Sequence, residues 1–368
     1  MKQRIFLESE KLQPGMQIDQ YVVDRMDRIL VQRGILLDAV VIQQIRRRGI
    51  AGVFVLLEVD GATEAPVPPL IIPDFVKEQI ATRRKEDPKK VDLSAEVKKR
   101  ISKGIEFLYN NSDSSKFFET SNRITSELLS AIDENNALAV DISMLKTSDE
   151  YTFKHSVDVA TMSMICAKKQ GLPSHQIKEI GIAGLLHDMG KSKVPPEILN
   201  KPAKLTKEEF ELMKKHPIWG YEILKDKPEF QGAISIAVLQ HHEKCNGSGY
   251  PFGVFSSQIH PYAKIITVTD IYDALVTDRP YKKSFTQREA VEIILSMPEE
   301  LDVDCIRSFM ETVILYPVDS IVTLSNGEKA QVIENHTGSV LRPTVIGLTT
   351  GKIYNLSDDI SCASLVIQ

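Results

Sequence analysis

Cysteine is scarce and scattered: Cys166, Cys245, Cys305 and Cys362 stand far apart with no CxxC pair among them. That spacing argues against a disulfide framework and against a thiolate zinc site. Long apolar runs are also missing. Stretches such as Val53 to Leu57 and Leu70 to Ile72 fall far short of the roughly 20 residues a membrane-spanning helix needs, so no membrane span is expected. Neither charge sign dominates: 45 Lys plus Arg against 50 Asp plus Glu leave a net charge of -5, unlike a histone-like basic protein or a disordered acidic one. Met1 to Glu10 is charged and lacks the apolar core of a signal peptide, which points to a cytoplasmic protein. The 368 residues leave room for about two or three domains. Histidine, by contrast, is concentrated: six of the eight (His155, His175, His187, His216, His241 and His242) fall between residues 155 and 242.

Residues 1–60 mix short β-like runs with one helical segment, whose apolar face is read as Leu37, Val40, Val41 and Ile45 with Gly49 as its stop. They predict a small α+β N-terminal domain of unassigned role. Pro66, Pro68, Pro69 and Pro73 suit a linker over 61–74. From 75 to 146 a helical connecting region is expected, with one stripe of Leu93, Val97, Ile101, Ile105 and Leu108 and a second of Phe117, Ile124, Leu128 and Ile132. These stripes suggest a homodimer paired through the connecting helices. The basic stretch Arg83 to Arg100 is interrupted by Glu86, Asp87, Asp92 and Glu96 and reads as a solvated helix face, so no DNA binding is expected. Residues 147–315 read as an all-α bundle, with capping boxes at Thr206 to Glu209 and Thr286 to Glu289. After Pro317 the period shifts to β, with a turn at Asn326-Gly327, predicting a β-domain over 316–368 built as a partial barrel.

The histidines fall within the bundle. His187-Asp188 closes an apolar helix and is followed at once by Gly190. Adjacent helix residues diverge by about 100 degrees, so both can bind metal only at a helix end or when two ions share the pair. For a lone pair, a buried His with a capping Asp is the simpler account. Here His155, His216, His241, His242 and Asp270 need partners too, and burying so many polar groups without a cation would be costly. Imidazole and carboxylate ligands suit Fe, Mn, Zn, Ni or Co, and roughly six or seven of them exceed one tetrahedral centre.

The ordered set His187-Asp188-Met189-Gly190-Lys191, Val194-Pro195, Leu205-Thr206, His216, His241-His242-Glu243, Gly249-Tyr250-Pro251, Asp270, Asp273 and Arg279-Pro280-Tyr281-Lys282 resembles the HD-GYP subgroup of the HD phosphohydrolases. The resemblance runs through residues 147–315. It implies a multidomain, mainly α protein: an all-α HD-type bundle flanked by the small α+β and β domains. It also implies two divalent ions, with Fe or Mn ahead of Ni, Co or Zn. His155, His187, Asp188 and Asp270 would surround one ion, and Asp188, His216, His241 and His242 the other, with Asp188 bridging. Some members take a third ion through a Glu four residues before the first His; Tyr151 stands there in this chain.

By the same resemblance, Asp188 and Lys191 would be catalytic, while Lys191, Tyr250, Arg279 and Lys282 would hold the substrate. Asp273 would orient a neighbour by hydrogen bonding, and Asn246 occupies a position where members often carry Asp. The implied activity is a bacterial cyclic di-GMP phosphodiesterase that attacks with a metal-bridging hydroxide and yields pGpG or, further, GMP. The alternatives are hydrolysis of another cyclic dinucleotide or a nucleotide phosphomonoester, and a catalytically weak cyclic di-GMP receptor. His175, His260 and His336 are read as ordinary loop or helix-end residues, Trp219 as core, and Cys245 as a plain thiol.

Overall fold

The computed structural model describes residues 2–19, 22–23, 29–31, 34–47, 52–58, 72–87, 95–134, 151–201, 203–277 and 284–368. Contacts divide the chain into two units, Met1–Ile71 and Ile72–Gln368. In the first, β1 (Lys2–Glu8) and β2 (Gln17–Ile18) flank β5 (Gly52–Glu58) in an antiparallel sheet, and β3 (Val22–Val23) pairs with β4 (Ile29–Val31). The helix α1 (Ala39–Arg47) closes a small core of Leu12, Ile18, Val31, Leu37, Ile42, Ile45, Val53 and Val55. Val40 does not join the buried face expected of it. Val40 is 62% exposed, and Ile42 takes the inward place, because Ile42 and Ile45 are one turn apart and share the face that Leu37 begins. Gly49, Pro66, Pro68 and Pro69 lie outside the described residues.

The second unit is mostly helical: α2 (Asp74–Arg83), α3 (Ala95–Asn110), α4 (Phe117–Glu134), α5 (Tyr151–Lys169), α6 (Ser174–Leu186), α7 (Pro196–Leu199), α8 (Lys207–Met213), α9 (His216–Leu224), α10 (Ala233–Gln240), α11 (Pro261–Val276), α12 (Gln287–Leu295) and α13 (Val303–Met310). Both capping boxes form, with Thr206 starting α8 and Thr286 starting α12. The second half of α6, half of α10 and most of α11 are buried, which places them at the centre of the bundle. Val97 and the buried Ile101, Ile105, Leu108, Phe117, Ile124, Leu128 and Ile132 belong to the same core as α5 and α6. Helices α3 and α4 thus complete the bundle, and their stripes are covered within the chain. The apolar stripes therefore need no second chain to cover them. Leu93 lies outside the described residues.

The C-terminal strands β6 (Ile321–Thr323), β7 (Lys329–Glu334), β8 (Thr344–Gly347) and β9 (Ile353–Asn355) form an antiparallel meander in that order. The expected partial barrel is instead an open sheet with both faces covered. One face packs Leu324, Ala330, Val332, Val345, Tyr354, Leu356 and Ile367, while Ile333 and Ile346 on the other meet Val76 of α2. Arg84 reaches Asp319 at 2.7 Å, and Asp87 accepts the Val318 amide at 2.8 Å and the Asn335 side-chain amide at 2.7 Å. Among the described residues no helix is long and apolar enough to cross a membrane.

Candidate metal centre

Five elements converge on one buried cluster. His155 comes from the first turns of α5, and His187 and Asp188 follow the last residue of α6. His216 opens α9, His241 and His242 follow α10, and Asp270 lies within α11. The helix-end placement resolves the problem of adjacent ligands. As α6 gives way to the short 3-10 turn Met189–Lys193, His187 and Asp188 turn toward a common centre. Gly190 makes that turn possible. A Cβ there would lie 2.0 Å from the His216 carbonyl oxygen and 2.5 Å from the Gly220 nitrogen, so any side chain would push α9 away.

Three imidazoles are aimed in the same way. His187 Nδ1 donates to the Gly184 carbonyl at 2.7 Å, His216 Nδ1 to Met213 at 2.8 Å and His241 Nδ1 to Val238 at 2.7 Å. Each bond goes to the residue three positions back and uses the ring's only proton in the neutral tautomer, which leaves an Nε2 lone pair facing the cluster. His155 is held by a carboxylate instead, with Nδ1 2.6 Å from Asp273 Oδ2. The Nε2 atoms then pair up, 3.2 Å apart for His155 and His187 and 3.2 Å apart for His216 and His241. Two imidazoles bound to one ion at about 2.0–2.1 Å would sit about 3.0–3.4 Å apart, which is the spacing observed.

Asp188 lies between these pairs. Its Oδ2 is 3.6 Å from His155 Nε2 and 3.4 Å from His187 Nε2, while its Oδ1 is 3.3 Å from His216 Nε2 and 3.9 Å from His241 Nε2. Oδ1 is buried and accepts no hydrogen bond, a costly state for a carboxylate oxygen unless a cation meets it. Asp270 adds Oδ1 at 3.2 Å from His155 Nε2 and Oδ2 at 3.7 Å from His242 Nδ1. The ligand atoms of His155, His187 and Asp188 form one group and those of Asp188, His216, His241 and His242 another, all within 4.8 Å of one another in each. The donor set therefore fits divalent metal, and these residues can hold it.

The electrostatics agree for the two carboxylates and for His241 and His242, while the metal-free cluster holds a proton on His155 that a cation would have to displace. Burial would raise the Asp188 carboxyl, but Lys191, His187 and His216 hold it well below the usual carboxylate range. Burial also opposes charge on Asp270, yet the hydrogen bond with His155 and the charges of His242, His187 and His155 push it down. For His155 burial alone would lower the imidazole, but its bonds to Asp270 and Asp273 raise it to about 10. His242 is pushed down to about 3, chiefly by burial, and His241 is lowered as well by burial and its neighbouring imidazoles. The carboxylates thus stay ionised, and His241 and His242 are kept neutral, the form in which an imidazole can bind a cation.

Of the other expected site residues, Lys191 rests on Asp188 Oδ2 at 2.5 Å, with its side chain 29% exposed. Tyr250 lies over His242, ring centroids 4.6 Å apart and planes 31° from parallel. Arg279 and Lys282 fall outside the described residues. Tyr151 opens α5 one turn before His155. Asn246 uses its side-chain oxygen to accept from Ser248 N at 3.1 Å and Ser248 Oγ at 2.7 Å, an Asx turn for which a neutral amide suffices. His260 caps α11 through the Tyr262 amide, and His336 bonds Thr344.

Sequence reasoning missed the role of Glu243. Its buried carboxylate accepts the amides of Phe252 at 2.7 Å and Val254 at 3.1 Å, tying the loop that carries Tyr250 to the histidine pair. Gly249, in that loop, lies so close to the backbone after the histidine pair that a Cβ would be 2.5 Å from Glu243 Cα. The signal was present in a Glu directly after two histidines, but its partners are backbone amides, which no residue pattern marks.

Residues 139–305 match the HD domain family. A cyclic di-GMP phosphodiesterase of Pseudomonas aeruginosa is 42% identical over 210 residues, 57% of this chain and 50% of that protein. A cyclic di-GMP phosphodiesterase response regulator of Xanthomonas campestris is 37% identical over 148 residues, covering 40% and 39% of the two chains. A 3'3'-cGAMP-specific phosphodiesterase of Vibrio cholerae is 33% identical over 190 residues, covering 52% and 42%. The chain thus spans about half or less of the length of these curated relatives.

Proposed function

We propose, from the premise that residues 139–305 form an HD domain, that this chain is a metal-dependent phosphodiesterase of cyclic dinucleotides. Cyclic di-GMP is its substrate in this reading, with pGpG as the first product and GMP where the second diester is also cut. The observation that carries it is the position of Asp188, whose two oxygens face different histidine pairs. A carboxylate so placed suits a bridge between two ions, and Fe or Mn matches the mixed imidazole and carboxylate donors. Two ions so held would supply Lewis acidity at the phosphate oxygens and a nucleophile formed from water near neutral pH.

The chain's own residues provide the rest. Asp188, Asp270 and the five imidazoles fix the geometry, and Asp273 sets the tautomer of His155. Lys191 stands at the edge of the cluster, where its ammonium can exchange its contact with Asp188 for one with a phosphate oxygen gaining charge. Tyr250, stacked on His242, offers a ring edge and a hydroxyl beside the reacting phosphate. Arg279 and Lys282 complete the substrate contacts in this reading, Arg279 with the planar fork of donors suited to phosphate or guanine. The four cysteines are free thiols, three of them buried, which supports a reducing cytosolic setting.

The relatives named for cyclic di-GMP support that substrate, and the relative named for 3'3'-cGAMP supports the wider class of cyclic dinucleotides. The test is anaerobic incubation of protein loaded with Fe(II) or Mn(II) with cyclic di-GMP and 3'3'-cGAMP, followed by chromatography. Linear dinucleotide or mononucleotide is the expected product. Full metal occupancy with no turnover of either would overturn the reading in favour of a receptor or a phosphomonoesterase.

A further inference from the structure

A cyclic dinucleotide carries two phosphodiesters on opposite sides of its macrocycle, and a metal pair about 3.5–4 Å apart can take only one. The other half of the molecule, with a charge and a base, must rest on protein outside the cluster. One rim of the site has the matching chemistry. Lys214, which caps the C-terminus of α8 two residues before the ligand His216, places Nζ 6.0 Å from the centre of the Tyr250 ring and 5.4 Å from that of Phe210. Tyr250 in turn lies 4.6 Å from the His242 ring and 6.4 Å from that of His216. The sequence from metal ligand to Tyr250, Lys214 and Phe210 is therefore continuous.

Phe210 is a large aromatic left 49% exposed beside Lys214, and a ring so open to solvent is of the kind on which bases stack. The acidic partner of Lys214 is Glu211 at 2.5 Å; the Lys214 side chain is 26% exposed and that of Glu211 66%, and an ion pair whose carboxylate lies this open to water is weak enough to be exchanged for a phosphate. We propose that Phe210 and Lys214 form a second substrate contact that holds the half of the cyclic dinucleotide not being cut. Lys214 meets the distal phosphodiester, and Phe210 stacks on the distal base. This rests on the cyclic-dinucleotide reading above.

The test compares two substrates on the metal-loaded full chain: cyclic di-GMP, and bis(p-nitrophenyl) phosphate, a diester with no distal half. For Lys214→Met and for Phe210→Ala, kcat/KM for cyclic di-GMP relative to the chromogenic diester is expected to fall about tenfold, through KM, with Lys214→Arg recovering most of it. An unchanged ratio in both variants would overturn the subsite alone, leaving the phosphodiesterase reading in place. Equal loss on both substrates would overturn it too, since the effect would then lie in the metal cluster or the fold. If the unaltered protein cuts the chromogenic diester but neither binds nor cuts a cyclic dinucleotide, the substrate reading falls and the subsite with it.

Discussion

Asp273 and His155 meet at 2.6 Å, one turn beyond Asp270 on α11, so that a single helix supplies both a candidate ligand and the carboxylate that orients another. The Asp273 side chain is buried, as is that of His155. Such a bond fixes the tautomer and raises the basicity of Nε2. Asp273→Asn is expected to lower metal affinity about 10- to 100-fold while the protein stays folded. Titration of Mn(II) into chelator-treated protein, read alongside its thermal unfolding, checks both parts.

Asp188 faces both histidine pairs, so its removal should empty both metal positions where loss of a single histidine weakens one. Asp188→Asn is expected to bring metal content well below one ion per chain by elemental analysis, and His242→Ala to retain at least one. Equal content in the two variants would argue against a shared carboxylate.

Gly190 faces the His216 carbonyl oxygen with no room for a methyl group. Gly190→Ala is expected to destabilise the protein by about 1–3 kcal/mol, the usual range for overpacking, or by more if α9 cannot yield. Because the displaced residue is His216, metal affinity should fall together with the melting temperature. A variant with both unchanged would show that the turn can relax.

Asp302 links α13 to α11. It accepts from the amides of Asp304 at 3.1 Å and Cys305 at 3.2 Å and pairs with Lys264 at 3.1 Å. Partial burial would raise its carboxyl, but the Lys264 hydrogen bond, the Cys305 amide and the Lys264 charge hold it below the ordinary value. A carboxyl lowered in the folded state stabilises above its unfolded value of about 3.9 and loses that contribution as pH falls through the folded one. Asp302→Ala is therefore expected to cost about 0.5–2 kcal/mol at pH 7 and progressively less below about pH 4. Denaturant unfolding of both proteins at several pH values measures the convergence.

What could be read from the sequence was local. The capping boxes at Thr206 and Thr286 formed because each needs only four consecutive residues. His187-Asp188 was legible as a helix end because Gly190 follows. Features made by distant residues were not legible. Arg84 and Asp319 are 235 positions apart, and nothing in either segment announces that α2 will cover a face of the C-terminal sheet. The stripes of α3 and α4 were read correctly as apolar, but a stripe does not say which surface covers it. Ile124 and Leu128 pack inside the chain, against helices that the stripe itself does not name. Glu243 escaped notice for a related reason, since its partners are the amides of residues 252 and 254 and could have belonged to any side chain.

Three of the imidazoles take their aim from carbonyl oxygens of their own chain segments, three residues back, rather than from the ion they would bind. The orientational entropy of those rings is thus surrendered when the helices form. Ion exchange then becomes a matter of rates and solution supply, with the scaffold unaltered between one occupant and the next. A chelator should strip such a centre and leave a folded, refillable protein behind, unlike a zinc finger, whose fold is lost with its metal.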